Sequence, residues 1–362
     1  MKVGIMSMQR VRNMGSFLQA YGLKKIIESL GHEVTFVDYR MNSDSKTASA
    51  IPARINFNMI VRFLDHRRTS KKRKMYKTAA SFDSYYDSFM PLLGVTPELQ
   101  YETEVDTLVI GSDEVFNCFQ SSPKNVDSFD LFGENSHAEK CISYAASFGS
   151  TTINMIKNSS DKDRIQEDLC RFDSLSVRDN NSYQIIKELI PDSKVGMHLD
   201  PALIYDFSDE IAETSENEPY IVVYSYRGRI TKEEGKAIRK FAKAKGMKLV
   251  CTGFVQECCD EYLLLNPFEV LGLFKNACYV ITDTFHGTVL SIKYGKQFAT
   301  IIRENNKQKL TDLLEKFSLS ERKVTNLGDL ARIADSTYNL QNVQFTLENE
   351  KKKTIEYLKR SI

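Results

Sequence analysis

Residues 278–298 read CYVITDTFHGTVLSIKYGKQF, and this stretch decides the fold. Tyr279, Val280, Ile281 and Thr282 form an unbroken apolar or β-branched run, which predicts a short strand buried on both faces. Asp283, Thr284, Phe285, His286 and Gly287 follow as a loop leading into an apolar-periodic helix. His286 is thereby placed at the carboxyl end of a strand and the amino end of a helix. In an open α/β sheet ligands bind there, because the loops line a crevice and the first helical N–H groups attract anions. A buried, hydrogen-bonded core histidine is the competing reading; an aspartate and a glycine beside it favour chemistry over packing.

Strand and helix units alternate on both sides of this stretch. Upstream, Asn266-Pro267-Phe268-Glu269 sets cap, proline and N3 glutamate in the order that opens a helix ending near Asn276. Lys248–Thr252 is a strand, Thr231 with Glu234 makes a capping box for a helix over Lys232–Lys245, and Gly246 stops it. Tyr220–Tyr226 is the strand that begins this array, with Arg227-Gly228-Arg229 after it. At the amino end, Lys2–Met8 and His32–Asp38 read as strands flanking a helix over Ser16–Leu30 that Gly31 closes. Val105–Ile110, Lys140–Ala146 and Leu175–Val177 are further strands; helices are expected over Ser182–Ile190, Lys307–Phe317 and Phe345–Lys359. The fold class is α/β, with two Rossmann-like domains facing across a cleft. The first spans 1–206 with a basic helical insertion at about 42–100, the second 220–342. Residues 207–219, acidic and without periodicity, link them, and 343–362 form a helix that packs back on the first domain.

With 362 residues, 42% hydrophobic and 27% charged, the chain is an ordinary globular protein large enough for two cores. A formal charge of +1 provides no global field for nucleic acid or membrane. Seven cysteines without a CxxC pair suggest reduced thiols, and five scattered histidines show no metal-ligand spacing. The first residues begin a strand rather than a signal peptide, and no apolar run reaches the roughly 20 residues of a membrane span. The expectation is a cytoplasmic protein with no metal and no resident cofactor. Arg67, Arg68, Lys71, Lys72, Arg73, Lys74 and Lys77 form a basic run in the insertion; it reads as a solvated helix face or, more sharply, as a peripheral contact with anionic lipid through 67–77.

Several polar residues fall at strand carboxyl ends. The loop Gln9–Gly15 brings Arg12 and Asn13 to the sheet edge, where a phosphate or sugar would sit, and it is not a GxGxxG dinucleotide loop. Gly111-Ser112-Asp113-Glu114 follows a strand directly; Asp113 can take a proton from a hydroxyl, or Ser112 and Asp113 can cap a helix. Phe116 and Asn117 fit a sugar ring, though Phe116 fits a core equally well. Arg178 can hold a carboxylate or phosphate in bidentate fashion, or form a salt bridge with Asp179 or another neighbour.

Taken with Asn13-Met14-Gly15-Ser16-Phe17-Leu18-Gln19-Ala20, Gly111-Ser112-Asp113-Glu114-Val115-Phe116-Asn117, Ser176-Val177-Arg178-Asp179 and Asp200-Pro201-Ala202-Leu203, the His286 stretch resembles the polysaccharide pyruvyl transferase family. The resemblance implies a GT-B-like architecture, with the first domain on the acceptor side and the second on the donor side. It also implies transfer of a pyruvyl group from phosphoenolpyruvate, a co-substrate rather than a cofactor, to two hydroxyls of a saccharide acceptor, lipid-linked or free, forming a cyclic ketal. His286 would be the general acid and Asp113 a second catalytic group. Arg178, Arg227, Arg229, Gly287 and Thr288 would face the donor; Asn13, Gly15, Ser112 and Asn117 would face the acceptor. Where many members of the family carry an arginine just before the aromatic residue and histidine, this chain has Thr284, which cannot supply a guanidinium charge. Either another arginine, such as Arg227 or Arg229, supplies that contact, or the donor differs, or activity is lost. A glycosyltransferase using a nucleotide sugar and a catalytically silent sugar-binding protein are the alternative functions.

Overall fold

The computed structural model describes residues 1–41, 70–120, 126–212 and 218–362. It contains two parallel sheets of six strands each. The first comprises β1 (Lys2–Met6), β2 (Glu33–Phe36), β3 (Thr107–Asp113), β4 (Lys140–Ala146), β5 (Leu175–Val177) and β6 (Val195–Met197), in the order β2-β1-β3-β4-β5-β6. The second comprises β7 (Tyr220–Tyr224), β8 (Lys248–Thr252), β9 (Glu261–Leu263), β10 (Tyr279–Thr282), β11 (Gln297–Ile301) and β12 (Lys323–Val324), in the order β12-β11-β10-β7-β8-β9. Every position of β3 is buried, as are Val280, Ile281 and Thr282 of β10, which explains their continuous rather than alternating pattern. Strand order reverses between β1 and β3, registered Ile5 to Val109, and between β7 and β10, registered Val223 to Ile281. Those two reversal points are where an open sheet forms its ligand crevice.

The domains meet through an apolar interface, not only across a cleft. The helix Met14–Ser29 is buried from Met14 through Leu23, because it lies between the sheets. Its Phe17 and Tyr21 pack edge-on against Phe268 of the second domain, with ring centroids 6.2 and 5.1 Å apart. One apolar core runs from Val3 and Tyr144 on the first side to Val222 and Phe298 on the second. The segment expected to be a linker is itself packed at its start, where Phe207 is buried against Tyr21 and Tyr205.

Two helices cross between domains. The helix Ser70–Ala79, carrying the described part of the basic run, packs on the second domain: Met75 is buried beside Ile221 and Tyr262, and Tyr76 donates to Glu257 at 3.2 Å. The polar stretch 42–50, the amphipathic stretch 55–64, and Arg67 and Arg68 lie outside the described residues. The last helix, Leu340–Ser361, runs the other way: Tyr357 donates to the Ser143 carbonyl at 2.7 Å and stacks on His198 with centroids 4.5 Å apart. Among the described residues no helix is long and apolar enough to cross a membrane.

Candidate functional site

The loops after β1, β7, β8 and β10 enclose a cleft of about 350 Å³, counting its open mouth, lined by Arg12, Asn13, Tyr226, Phe254, Thr284 and His286. His286 stands in the first turn of the helix Phe285–Lys293, which starts within the Asp283–Gly287 stretch expected to be loop. Thr284 is the N-cap: its Oγ1 accepts the Gly287 N–H at 3.0 Å, satisfying one of the helix's unpaired donors. The His286 ring crosses to the first domain and rests on Gly15, where a Cβ would overlap the imidazole. Gly15 is therefore a packing requirement of His286.

On the first-domain side the ring meets a buried ionic group. His286 Nε2 is 3.6 Å from Asp200 Oδ2, and it has no hydrogen-bond partner among the described residues. Asp200 ends the β6 segment, capping the short helix Pro201–Ile204 with Oδ1 on the Ala202 N–H at 3.0 Å. Its Oδ2 accepts from Arg178 at 2.7 Å, and the other guanidinium arm reaches Asp113 at 3.3 Å. Asp113 also accepts from Ser16 Oγ at 2.8 Å. It closes β3 at φ +82°, a left-handed conformation that aspartate tolerates better than most residues. Burial pushes the Asp200 carboxyl up, but His286, Arg178 and the Ala202 N–H outweigh it and hold it below its ordinary value. Burial likewise opposes the charge of Arg178, and Asp113 and Asp200 more than compensate, raising its pKa. Two carboxylates against one guanidinium leave one negative charge facing the imidazole.

A second ion pair joins the domains nearby. Glu114, just after Asp113, pairs with Lys309 of the second domain. Burial pulls the Glu114 carboxyl up; Lys309, Arg178 and the Asn117 amide outweigh it and bring it down to about 2 from an ordinary 4.5. A depressed folded-state pKa contributes stability that is present above about pH 4.5 and lost as pH falls towards 2, on the order of 3 kcal/mol. Lys309→Met is therefore expected to be destabilised at pH 7, with its gap to wild type closing as pH drops through that window. Melting temperatures between pH 6 and pH 3 check this; a gap independent of pH would show that the pair does not hold the domains.

The expected site residues divide. His286, Asp113, Arg178, Asn13 and Gly15 converge on the interface, Asn13 capping its helix through Gly15 N–H at 2.8 Å and donating across to Tyr226 at 3.1 Å. Asp113 does not cap a helix, since β3 runs through it. Arg178 pairs with Asp200 and Asp113, whereas Asp179 accepts from Ser182 N–H at 2.8 Å and Ser147 Oγ at 2.5 Å. Ser112 is buried and turned inward, donating to the Ala145 carbonyl at 3.0 Å. Both ends of the Asn117 amide are taken, by Glu114 at 2.8 Å and Thr151 at 2.9 Å. Phe116 is core, stacked on Phe132. Thr288 does not face the cleft: it is fully buried, with Oγ1 on the Thr284 carbonyl at 3.0 Å. The Gly287 N–H is occupied by Thr284, Arg227 is exposed, Arg229 lies over the Tyr226 ring, and neither arginine lines the cleft. Ser16, Glu114 and Asp200 stood in the motifs quoted above without a role being given to them, whereas Tyr226, Phe254 and Lys309 carried no local signal. Among the described residues no group of three or more His, Cys, Asp or Glu side chains is placed to hold a metal ion.

Two parallel six-stranded domains closing on one cleft define the architecture of GT-B glycosyltransferases and epimerases. The chain belongs to the polysaccharide pyruvyl transferase family, whose family model matches residues 13–305, and is thus a transferase. Among solved structures it is similar to UDP-GlcNAc 2-epimerase from Methanocaldococcus jannaschii (9% identity, TM-score 0.51, covering 99% of this chain and 100% of that one). It is also similar to Arabidopsis thaliana UGT89C1 complexed with UDP-L-rhamnose (13% identity, TM-score 0.50, covering 99% and 98%). At such identities the likeness is one of fold. A sequence comparison with curated proteins finds no match.

Proposed function

We propose that the protein transfers the pyruvyl group of phosphoenolpyruvate to two hydroxyls of a saccharide, with His286 as general acid. The observation that carries this reading is the His286 ring itself: it lines the cleft, its Nε2 has no hydrogen-bond partner among the described residues, and it faces a buried group with one surplus negative charge. The ring is thereby set between that charge and the cleft, where a general acid must stand. In the reaction the methylene carbon of phosphoenolpyruvate takes a proton from His286 and becomes a methyl group, leaving an oxocarbenium-like carbon. One sugar hydroxyl attacks that carbon and gives up its proton, which returns to His286. Loss of phosphate and attack by the second hydroxyl close the ketal, and the second hydroxyl proton leaves with the phosphate. Asp113 is the carboxylate assigned to orient the attacking hydroxyl by accepting a hydrogen bond from it, while the proton itself goes to His286. Arg178 and Asp200 position both groups. The rings of Tyr226 and Phe254 offer apolar faces to the C–H side of a sugar. Acceptor and donor both enter from solution or a membrane surface, and the transfer needs no resident cofactor.

The test is phosphate release from phosphoenolpyruvate with a panel of free and lipid-linked saccharides, with the ketal product identified by mass spectrometry. Acceptor-dependent release with a pyruvylated product is the expected result. If no acceptor elicits release and phosphoenolpyruvate does not bind, the pyruvyl donor is wrong, and nucleotide sugars are the next donors to try.

A further inference from the structure

Resting on that reading, the donor's anionic end must meet positive charge inside the cleft, and the second domain supplies little. Thr284 is uncharged, the Gly287 N–H is already bonded, and Arg227 and Arg229 do not line the space. Arg178 is 1% exposed and committed to two carboxylates. Arg12 is placed differently. It follows β1, lines the same cleft as His286 and Thr284 from the first domain, and is the one guanidinium among the described residues lining it. Its Nε and Nη2 fork onto Asp87 at 2.9 and 2.7 Å, at the end of the helix Phe82–Asp87. The two side chains are 46% and 51% exposed, so this pair is weak and screened by water. A phosphate presents the same two-oxygen edge as a carboxylate with more charge.

We infer that Arg12 is the donor-phosphate ligand, held on Asp87 in this structure and exchanging that carboxylate for the phosphate of phosphoenolpyruvate. The anion site is then built from the first domain and the acid from the second, so donor binding draws on both. Three variants of the full chain test it: Arg12→Ala, Arg12→Lys and Asp87→Asn, each checked for a wild-type melting temperature. Arg12→Ala is expected to raise KM for phosphoenolpyruvate roughly 10- to 100-fold, the scale of losing a charge-assisted fork, while KM for the acceptor moves little. Arg12→Lys falls between. Asp87→Asn lowers KM for phosphoenolpyruvate, because Arg12 no longer leaves a partner. Parallel losses in Arg12→Ala and Asp87→Asn would mean the pair is only structural, and an effect confined to the acceptor KM would assign Arg12 to an acceptor phosphate; either overturns the inference. Titration with inorganic phosphate gives a readout independent of turnover: binding weaker in Arg12→Ala than in wild type upholds the site even if the pyruvyl reading fails, and equal binding removes it.

Discussion

His286→Ala is expected to reduce acceptor-dependent phosphate release at saturating substrates by about 100-fold or more, the usual scale of a general acid. The fall belongs in kcat, with KM for phosphoenolpyruvate changing far less, because the step lost is proton transfer rather than anion binding. His286→Gln sharpens the test, since it fills similar space and can donate a hydrogen bond but cannot deliver a proton to carbon. Both variants should fold, as the ring lies at an interface lined by Gly15 rather than inside either sheet. The pH–rate profile adds a readout that packing would not move: the limb due to the acid should vanish in both. A variant that keeps most of the wild-type kcat would take His286 out of the chemistry, and the surplus charge at Asp113, Arg178 and Asp200 would need another role.

The parts of this molecule that were legible in the sequence are those whose cause is local. Thr231 with Glu234 and Asn266 with Glu269 each form the capping box that their spacing predicts, because every atom involved lies within one turn. The β10 strand and the helix after it were equally legible, and with them the position of His286. Asn13 shifts the first helix start to Met14, an error of the size caps usually cause. What was not legible depends on strand order and long-range contacts. The edge strands β9 and β12 have three and two residues, too few for periodicity to register. A salt bridge for Arg178 was legible, but not its partners: parallel strands bring it Asp200 and Asp113 rather than the adjacent Asp179. Lys309 and Glu114 meet across 195 residues of sequence. Gly15 was expected to face the acceptor, whereas it packs under a histidine from the other domain. Thr288 illustrates the opposite error: helical periodicity turns it away from the cleft two residues after a side chain that faces it.

The buried Arg178 makes the largest stability prediction. In Arg178→Met, Asp113 and Asp200 would remain in a site from which water is excluded, with no guanidinium between them, and breaking such a pair by removing one partner typically costs about 3–5 kcal/mol. Loss of that magnitude should appear at pH 7 as a large drop in melting temperature. The pH dependence then separates charge from packing. Without Arg178 the two carboxylates repel and their folded-state pKa values rise above the unfolded ones, so the penalty is full at neutral pH and is relieved as pH falls and one of them protonates. Adding Asp200→Asn to Arg178→Met removes one of the charges and should recover part of the stability without acid. Arg178→Lys keeps the charge but not the fork that spans Asp200 and Asp113, and should fall between. If Arg178→Met melts like wild type at pH 7, these charges are not the buried group described above. The surplus charge set against His286 would then be absent, and the proposed mechanism would lose the observation that carries it. The stability of one variant thus bears on the mechanism proposed for another residue, because the same surplus charge underlies both.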